Sequence, residues 1–206
     1  MKKFTIINGR KIRLAIVGCG RISKNHFGSI EEHQDDIELI SICENQQTIL
    51  LEHEKKYNIK GYLNLADMLE NEDLDLVVIC TPSGMHAEQT VLCAKHGVNV
   101  MTEKPMATIW DDGIKMVNVC EKAAVRLFVI KQNRKNATLQ LIKKTIEENR
   151  FGKIYMVNLN VFWTRSQAYY DQASWRGTQK LDGGALMNQA SHYIDLLDWL
   201  IGPVDN

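Results

Sequence analysis

Four places in the chain join residue types that could do chemistry. The first is Ile16-Val17-Gly18-Cys19-Gly20-Arg21-Ile22-Ser23, an apolar run, a glycine turn and a helix start. Glycine at 18 permits a tight turn, and glycine at 20 lets the backbone approach a diphosphate. Ser23 stands where a third glycine is usual and is still small enough for helix–strand packing. The diphosphate would rest on the N–H groups at the helix N-terminus, with Cys19, Arg21 and Ile22 beside it. The second place is Glu44, ending the next apolar run. A carboxylate there can accept hydrogen bonds from the adenosine ribose and repel the extra phosphate of NADP. Glycine turn, helix and acid together point to NAD as cofactor.

The third place is a pair of loops. Thr81-Pro82-Ser83-Gly84-Met85-His86 and Glu103-Lys104-Pro105 each follow an apolar run. Ligands of open α/β sheets bind outside the carboxyl ends of the strands, so Thr81, Pro82, Ser83, His86, Glu103 and Lys104 are expected to face the cofactor. Pro105 biases Lys104 toward an extended backbone. A lysine in that position can also be a solvated turn residue, and His86 can be an ordinary helix-start residue. The fourth place is a helix opened by Asp182-Gly183-Gly184. Leu186, Ala190, Tyr193, Ile194, Leu197 and Ile201 share one face of it at 100° per residue. Asn188, His192 and Asp195 fall on the opposite face, so His192 either faces solvent or lines a site.

The elements that must position these residues alternate. Segments 12–17, 37–43, 76–80, 98–101 and 127–130 are short and rich in Val, Ile and Leu, as parallel strands covered on both faces must be. Helical patterns lie near 21–33, 46–57, 64–70, 86–96 and 109–123. That alternation predicts a doubly wound parallel sheet of the α/β class, a Rossmann domain over residues 1–131. The rhythm then changes: a helix near 136–149, a long strand candidate over 153–163, an aromatic and polar stretch, and the helix after Gly184. Residues 132–206 read as part of a second, α+β domain with an open sheet.

Bulk properties narrow the classes. Among 206 residues, Lys+Arg and Asp+Glu both total 25, giving no net charge. That argues against a nucleic-acid or membrane-surface binder. No apolar run approaches the ~20 residues of a spanning helix. The start, Met1-Lys2-Lys3-Phe4, lacks the apolar stretch of a signal peptide. Cys19, Cys43, Cys80, Cys93 and Cys120 form no C-x-x-C pair and read as reduced buried thiols, which points to the cytoplasm. Metal ligation is not expected.

Gly18–Ser23, Glu103-Lys104-Pro105 and Gly183-Gly184 with Asn188 and His192 occur in the order seen in one family. Over its whole length the chain resembles the glucose–fructose oxidoreductase, inositol dehydrogenase and MocA oxidoreductases. Residues 128–140, Val161-Phe162-Trp163-Thr164-Arg165, Tyr169-Tyr170-Asp171-Gln172 and Trp175-Arg176-Gly177 are similar to the family's branch acting on UDP-N-acetyl-glucosaminuronic acid. The resemblance implies NAD-dependent oxidation of the 3-hydroxyl of that UDP-sugar, on the way to bacterial O-antigen. UDP-N-acetylglucosamine is the near alternative, and a non-catalytic NAD-binding sensor or truncated domain the remote one. It also implies Lys104 and His192 at the reacting carbinol. Many members carry Asp four residues before the histidine. Here the residue is Asn188, which can orient His192 but cannot relay a proton. The substrate's diphosphate and carboxylate call for Arg134, Arg165 and Arg176, with Gln132, Tyr169 and Trp175 as shape and hydrogen-bonding groups. Family members continue for roughly a hundred further residues that complete the second sheet, commonly as tetramers, so this chain reads as C-terminally truncated.

Overall fold

The computed structural model describes residue 4 and residues 6–203. The basic Met1-Lys2-Lys3 start lies outside the described residues. The chain divides into two compact units, Met1–Val129 and Ile130–Asn206.

The first unit is one parallel sheet with helices around it. In β1 (Ile12–Val17) the side chains alternate: Leu14 and Ile16 join one apolar cluster, Ala15 and Val17 the other. A strand stretch buried on both faces must be apolar, and Leu14–Val17 is, with Arg13 at the half-buried start. β2 (Ile37–Cys43), β4 (Leu76–Ile79), β5 (Asn99–Thr102) and β6 (Leu127–Val129) are also mostly apolar, with Ile42, Val77, Val78, Ile79 and Val100 buried and the edge strand β6 more open. β3 (Lys60–Tyr62) was not foreseen, because Lys-Gly-Tyr contains no apolar run. It pairs with β2 through Ser41, Ile42 and Cys43. Gly61 lets α2 pack closely there: a Cβ would stand 2.5 Å from Leu50 Cδ1 and 2.8 Å from Glu54 Cγ, so those side chains would have to shift.

The strand order is β3-β2-β1-β4-β5-β6, all parallel. The chain works outward on one side of β1 and then returns to build the other side. Between β1 and β4 the strand order reverses, and in open α/β sheets ligands bind in the crevice outside the carboxyl ends of the strands at such a point. Five helices connect the strands: α1 (Ser23–Glu32), α2 (Gln47–Tyr57), α3 (Leu65–Asn71), α4 (His86–Lys95) and α5 (Trp110–Ala123). α1 buries Phe27 and Ile30, and the Phe27 ring stacks on Tyr57 of α2 at 4.3 Å between centroids. All five cysteines are free and buried.

The second unit holds α6 (Ala137–Glu147), the short α7 (Gln167–Asp171) and α8 (Ser191–Ile201), with a π-helical turn at Leu186–Ala190 leading into α8. α6 packs against α8. Residues 153–163, expected as a strand, pair with no other segment among the described residues. A strand exists only through a ladder partner. Without one, Tyr155, Met156 and Phe162 stay largely exposed. Among the described residues no helix is long and apolar enough to cross a membrane.

The core makes a direct prediction. Phe27 is 2% exposed, so Phe27→Ala is expected to cost about 3–5 kcal/mol of stability, read from the urea midpoint at constant slope. A loss below ~1 kcal/mol would contradict the packing described.

Candidate active site

At the crevice, Gly18 has a φ of +87°. A Cβ there would stand 3.0 Å from the Cys80 carbonyl carbon and 3.0 Å from Thr81 Cγ2. The exit of β4 therefore passes so close that no side chain fits, and the positive φ favours glycine independently. Gly18 N–H donates to the Cys43 carbonyl at 2.8 Å, tying the turn to the end of β2. Around Gly20 a Cβ would meet nothing within 4 Å, which leaves open space over the turn. Ser23 Oγ donates to the Gly20 carbonyl at 2.7 Å, and Ser23 is fully buried. Arg21 is exposed and Ile22 half-buried at the same turn.

Glu44 reaches back to this turn. Its Oε2 accepts the Cys19 N–H at 2.9 Å, and its Oε1 accepts the Gln46 N–H at 3.0 Å. A carboxylate oxygen has a second lone pair, so each can still accept a hydroxyl. The turn, the first N–H groups of α1 and this acid fit a dinucleotide: anion at the helix end, ribose at the carboxylate. Burial, and then the nearby Glu44, push the Cys19 thiol up to about 12, so it sits in the turn as a neutral thiol.

The other loops depart from expectation. His86 does not face the cofactor. Its ring is 1% exposed, with Nδ1 2.9 Å from the Pro105 carbonyl and Nε2 3.0 Å from the Thr81 carbonyl. A neutral ring has one N–H and donates to one of these carbonyls, but both nitrogens lie against the protein and neither faces a ligand. Burial lowers the His86 pKa, against the opposing pull of those carbonyls. The ring works as a strut between the two loops that carry Thr81 and Lys104. Thr81 Oγ1 donates to Gln89 Oε1 at 2.6 Å; Pro82 is half-buried and Ser83 buried. Glu103 turns to a residue with no signal in the sequence: its Oε1 lies 2.9 Å from His26 Nε2 of α1. Burial would raise the Glu103 pKa, but the His26 hydrogen bond and charge, with the Lys104 N–H at 3.3 Å, hold it below the ordinary value. The pair fastens α1 to the loop of Lys104, which is half-buried.

In the second unit the polar face of the sequence-derived helix is the buried one. Leu186 (70%), Ile194 (57%) and Ile201 (45%) are exposed, whereas Asn188 and His192 are buried. Within α8 the 100° spacing holds, so Ile194 and Ile201 still lie apart from His192; the apolar side is the one left uncovered among the described residues. Hydrogen bonds hold the polar face inside. Asn188 Nδ2 donates to the buried Asp182, and Asn188 Oδ1 accepts from Gln189 Nε2 at 2.8 Å. Arg134 is not an open anion receptor. It forms two bonds with Asp195, at 2.9 and 2.6 Å, and Lys131 Nζ lies 3.8 Å from the same carboxylate. The Asp195 hydrogen bond raises the Arg134 pKa. Gln132 is exposed at the start of that turn.

Arg165 and Arg176 differ. Both guanidinium carbons lie over the Tyr169 ring, at 5.1 and 4.3 Å from its centroid. Arg165 also covers Trp163 at 4.1 Å, and Arg176 covers Trp175 at 5.1 Å. Among the described residues no carboxylate pairs with either. The Nε atoms of both, and Ser191 Oγ, are buried without a hydrogen-bond partner. Two like charges against one ring, with unpaired buried donors, make a site that an anion would complete. Lys104 belongs to the first unit and His192 to the second. Among the described residues no group of three or more His, Cys, Asp or Glu could hold a metal ion.

Comparison with known proteins fits this geometry. Residues 12–131 match the GFO_IDH_MocA model, an oxidoreductase family with an NAD-binding Rossmann fold, and residues 143–206 match its C-terminal alpha/beta domain. The chain belongs to the Gfo/Idh/MocA oxidoreductase family. It is similar to the WlbA dehydrogenase of Chromobacterium violaceum, solved with NADH and UDP-GlcNAcA: 56% identity, TM-score 0.96, covering 100% of this chain and 59% of that one. The WlbA dehydrogenase of Bordetella pertussis, with the same ligands, gives 56% identity and TM-score 0.95, covering 97% and 58%. A curated relative, 4-carboxy-2-hydroxymuconate-6-semialdehyde dehydrogenase of Sphingobium, is 28% identical, covering 94% of this chain and 60% of that protein. The chain thus spans about three-fifths of each. The first unit is the NAD-binding fold of the family, and the α/β class stands.

The Glu103–His26 contact gives a pH signature. A lowered folded-state pKa means that stability from Glu103 is complete above the unfolded carboxylate value of about 4.3 and is lost as pH falls through the folded value. Glu103→Gln should reduce the rise of unfolding free energy with pH across that acidic window. An identical pH dependence in the variant would contradict the pairing.

Proposed function

We propose that this chain is the NAD- and substrate-binding part of a dehydrogenase that oxidises the 3-hydroxyl of UDP-N-acetyl-glucosaminuronic acid to the 3-keto sugar. Residues 1–131 hold the cofactor through Gly18, Cys19, Gly20, Arg21, Ile22 and Glu44, flanked by Thr81, Pro82, Ser83 and Lys104. Residues 132–206 supply the substrate side. The observation that carries the reading is the Arg165–Tyr169–Arg176 stack, two guanidiniums without carboxylates and with unpaired buried donors. Such a cradle suits a diphosphate or uronate. The 56% identity to dehydrogenases solved with NADH and UDP-GlcNAcA supports the same substrate. The five buried thiols support a reducing compartment, the cytoplasm, with the product serving bacterial O-antigen assembly. The exposed apolar face of α8 supports self-association as a homo-oligomer.

Bound NAD would supply the acceptor for the hydride leaving the carbinol carbon. His192 takes the hydroxyl proton. An alcohol is roughly as weak an acid as water, far weaker than an imidazolium. Histidine titrates near ~6.5, so a free alkoxide lies far uphill. That is too costly as a separate step, so His192 must accept the proton as the carbonyl forms. Lys104 hydrogen-bonds the same oxygen while negative charge develops. Asn188, on the same helix face as His192, orients it but carries no proton.

The test is single-turnover mixing of the protein with NAD and UDP-N-acetyl-glucosaminuronic acid, with UDP-N-acetylglucosamine in a parallel arm. NADH absorbance should rise with the uronate and less with the neutral sugar. His192→Ala should slow that rise by at least ~100-fold while NAD binding is retained. No NADH from folded, NAD-binding protein would reject the reading, and near-normal turnover in the variant would reject the role of His192.

A further inference from the structure

Asp182 has no part in the chemistry above, yet it is 5% exposed and no cation pairs with it among the described residues. Each of its oxygens takes one donor. Oδ2 accepts the Gly177 N–H at 2.9 Å, and Oδ1 accepts Asn188 Nδ2. The chain of bonds continues. Asn188 Oδ1 accepts Gln189 Nε2 at 2.8 Å, and Gln189 Oε1 accepts an Arg165 N–H at 3.1 Å. Gln189 Nε2 also points at the Tyr169 hydroxyl, 3.4 Å away.

An amide side chain can be turned end for end with almost no change of shape. What forbids it here is the chemistry at the two ends. An ionised carboxylate only accepts, and a guanidinium only donates. Every link between them therefore has one direction. Turning either amide alone would set N–H against N–H or oxygen against oxygen.

We propose that Asp182 is a positioning residue: it sets the direction of this amide chain and so couples Asn188, one helical turn before His192, to the Arg165 guanidinium of the anion cradle. The proposal rests on the function proposed above, in which Arg165 meets the anionic substrate. With an amide at position 182, the oxygen goes to the Gly177 N–H and the NH2 group faces the NH2 of Asn188. Relief requires Asn188 to turn, then Gln189, and the fault arrives at Arg165 as donor against donor. Exchanging the two side chains, Asp182→Asn with Asn188→Asp, repairs it. Position 188 then only accepts, taking one donor from 182 and one from Gln189, and Gln189 keeps its oxygen toward Arg165.

The experiment titrates UDP-N-acetyl-glucosaminuronic acid into protein loaded with NADH, so that binding is read without turnover. Asp182→Asn should weaken binding roughly tenfold or more, the size expected when a buried donor is left unpaired. The exchanged pair should bind within about threefold of the unaltered chain, and NADH affinity should be constant throughout. Gln189→Met leaves Asp182 in place and removes the acceptor that the chain presents to Arg165. It too should lose roughly tenfold, and it decides the matter if Asp182→Asn fails to fold. Unchanged binding in either single variant, or no recovery in the exchanged pair, would overturn the coupling. Failure of the unaltered chain to bind the sugar nucleotide would instead remove the proposed function, and this inference with it.

Discussion

Residue 18 has room for no side chain. The turn after β1 runs against the departing end of β4, with 3.0 Å between an imagined Cβ and the Cys80 carbonyl carbon. That closeness follows from the sheet order, which makes β1 and β4 neighbours and sends their continuations to opposite sides. The same turn is pulled toward β2 by Gly18 N–H on the Cys43 carbonyl and Cys19 N–H on Glu44. Three strand ends are thus drawn to one place, leaving open space above Gly20 and the unpaired N–H groups of α1. Anion binding there needs no basic side chain, because the backbone supplies the donors.

The two units handle charge differently. In the first, polar groups near the crevice are tied to one another: Glu103 to His26, and His86 to two carbonyls. These bonds hold α1 and the Thr81 and Lys104 loops in fixed relation, which preorganises the site. In the second, Asp195 takes up Arg134 while Arg165 and Arg176 stay without a carboxylate. Stacking on aromatic rings holds those two guanidiniums in place without spending their charge on a carboxylate.

What was legible in the sequence divides along physical lines. The strands of the first unit could be read because burial on both faces demands continuous apolar residues, and the glycine turn because only glycine meets its geometry. β3 could not be read, because three residues around Gly61 carry no pattern. The His26–Glu103 contact joins positions 77 apart, and no local rule reports it. His86 has the sequence setting of a ligand-facing loop, and only its packing shows both nitrogens lying against the protein. For the helix after Gly184 the wheel separated the polar from the apolar face but left open whether His192 met solvent or a site, because which face is covered depends on packing and not on spacing. Arg134, Arg165 and Arg176 look alike as residue types. Asp195, 61 positions from Arg134, is what separates them.

Calorimetric titration of the folded chain with NAD and with NADP tests the central claim most directly, since it reads the turn at Gly18 and the Glu44 carboxylate together. NAD should bind, and NADP should bind at least roughly tenfold more weakly, about 1.4 kcal/mol, because its extra phosphate meets a buried carboxylate. Absence of heat with NAD, or equal affinity for the two, would contradict it.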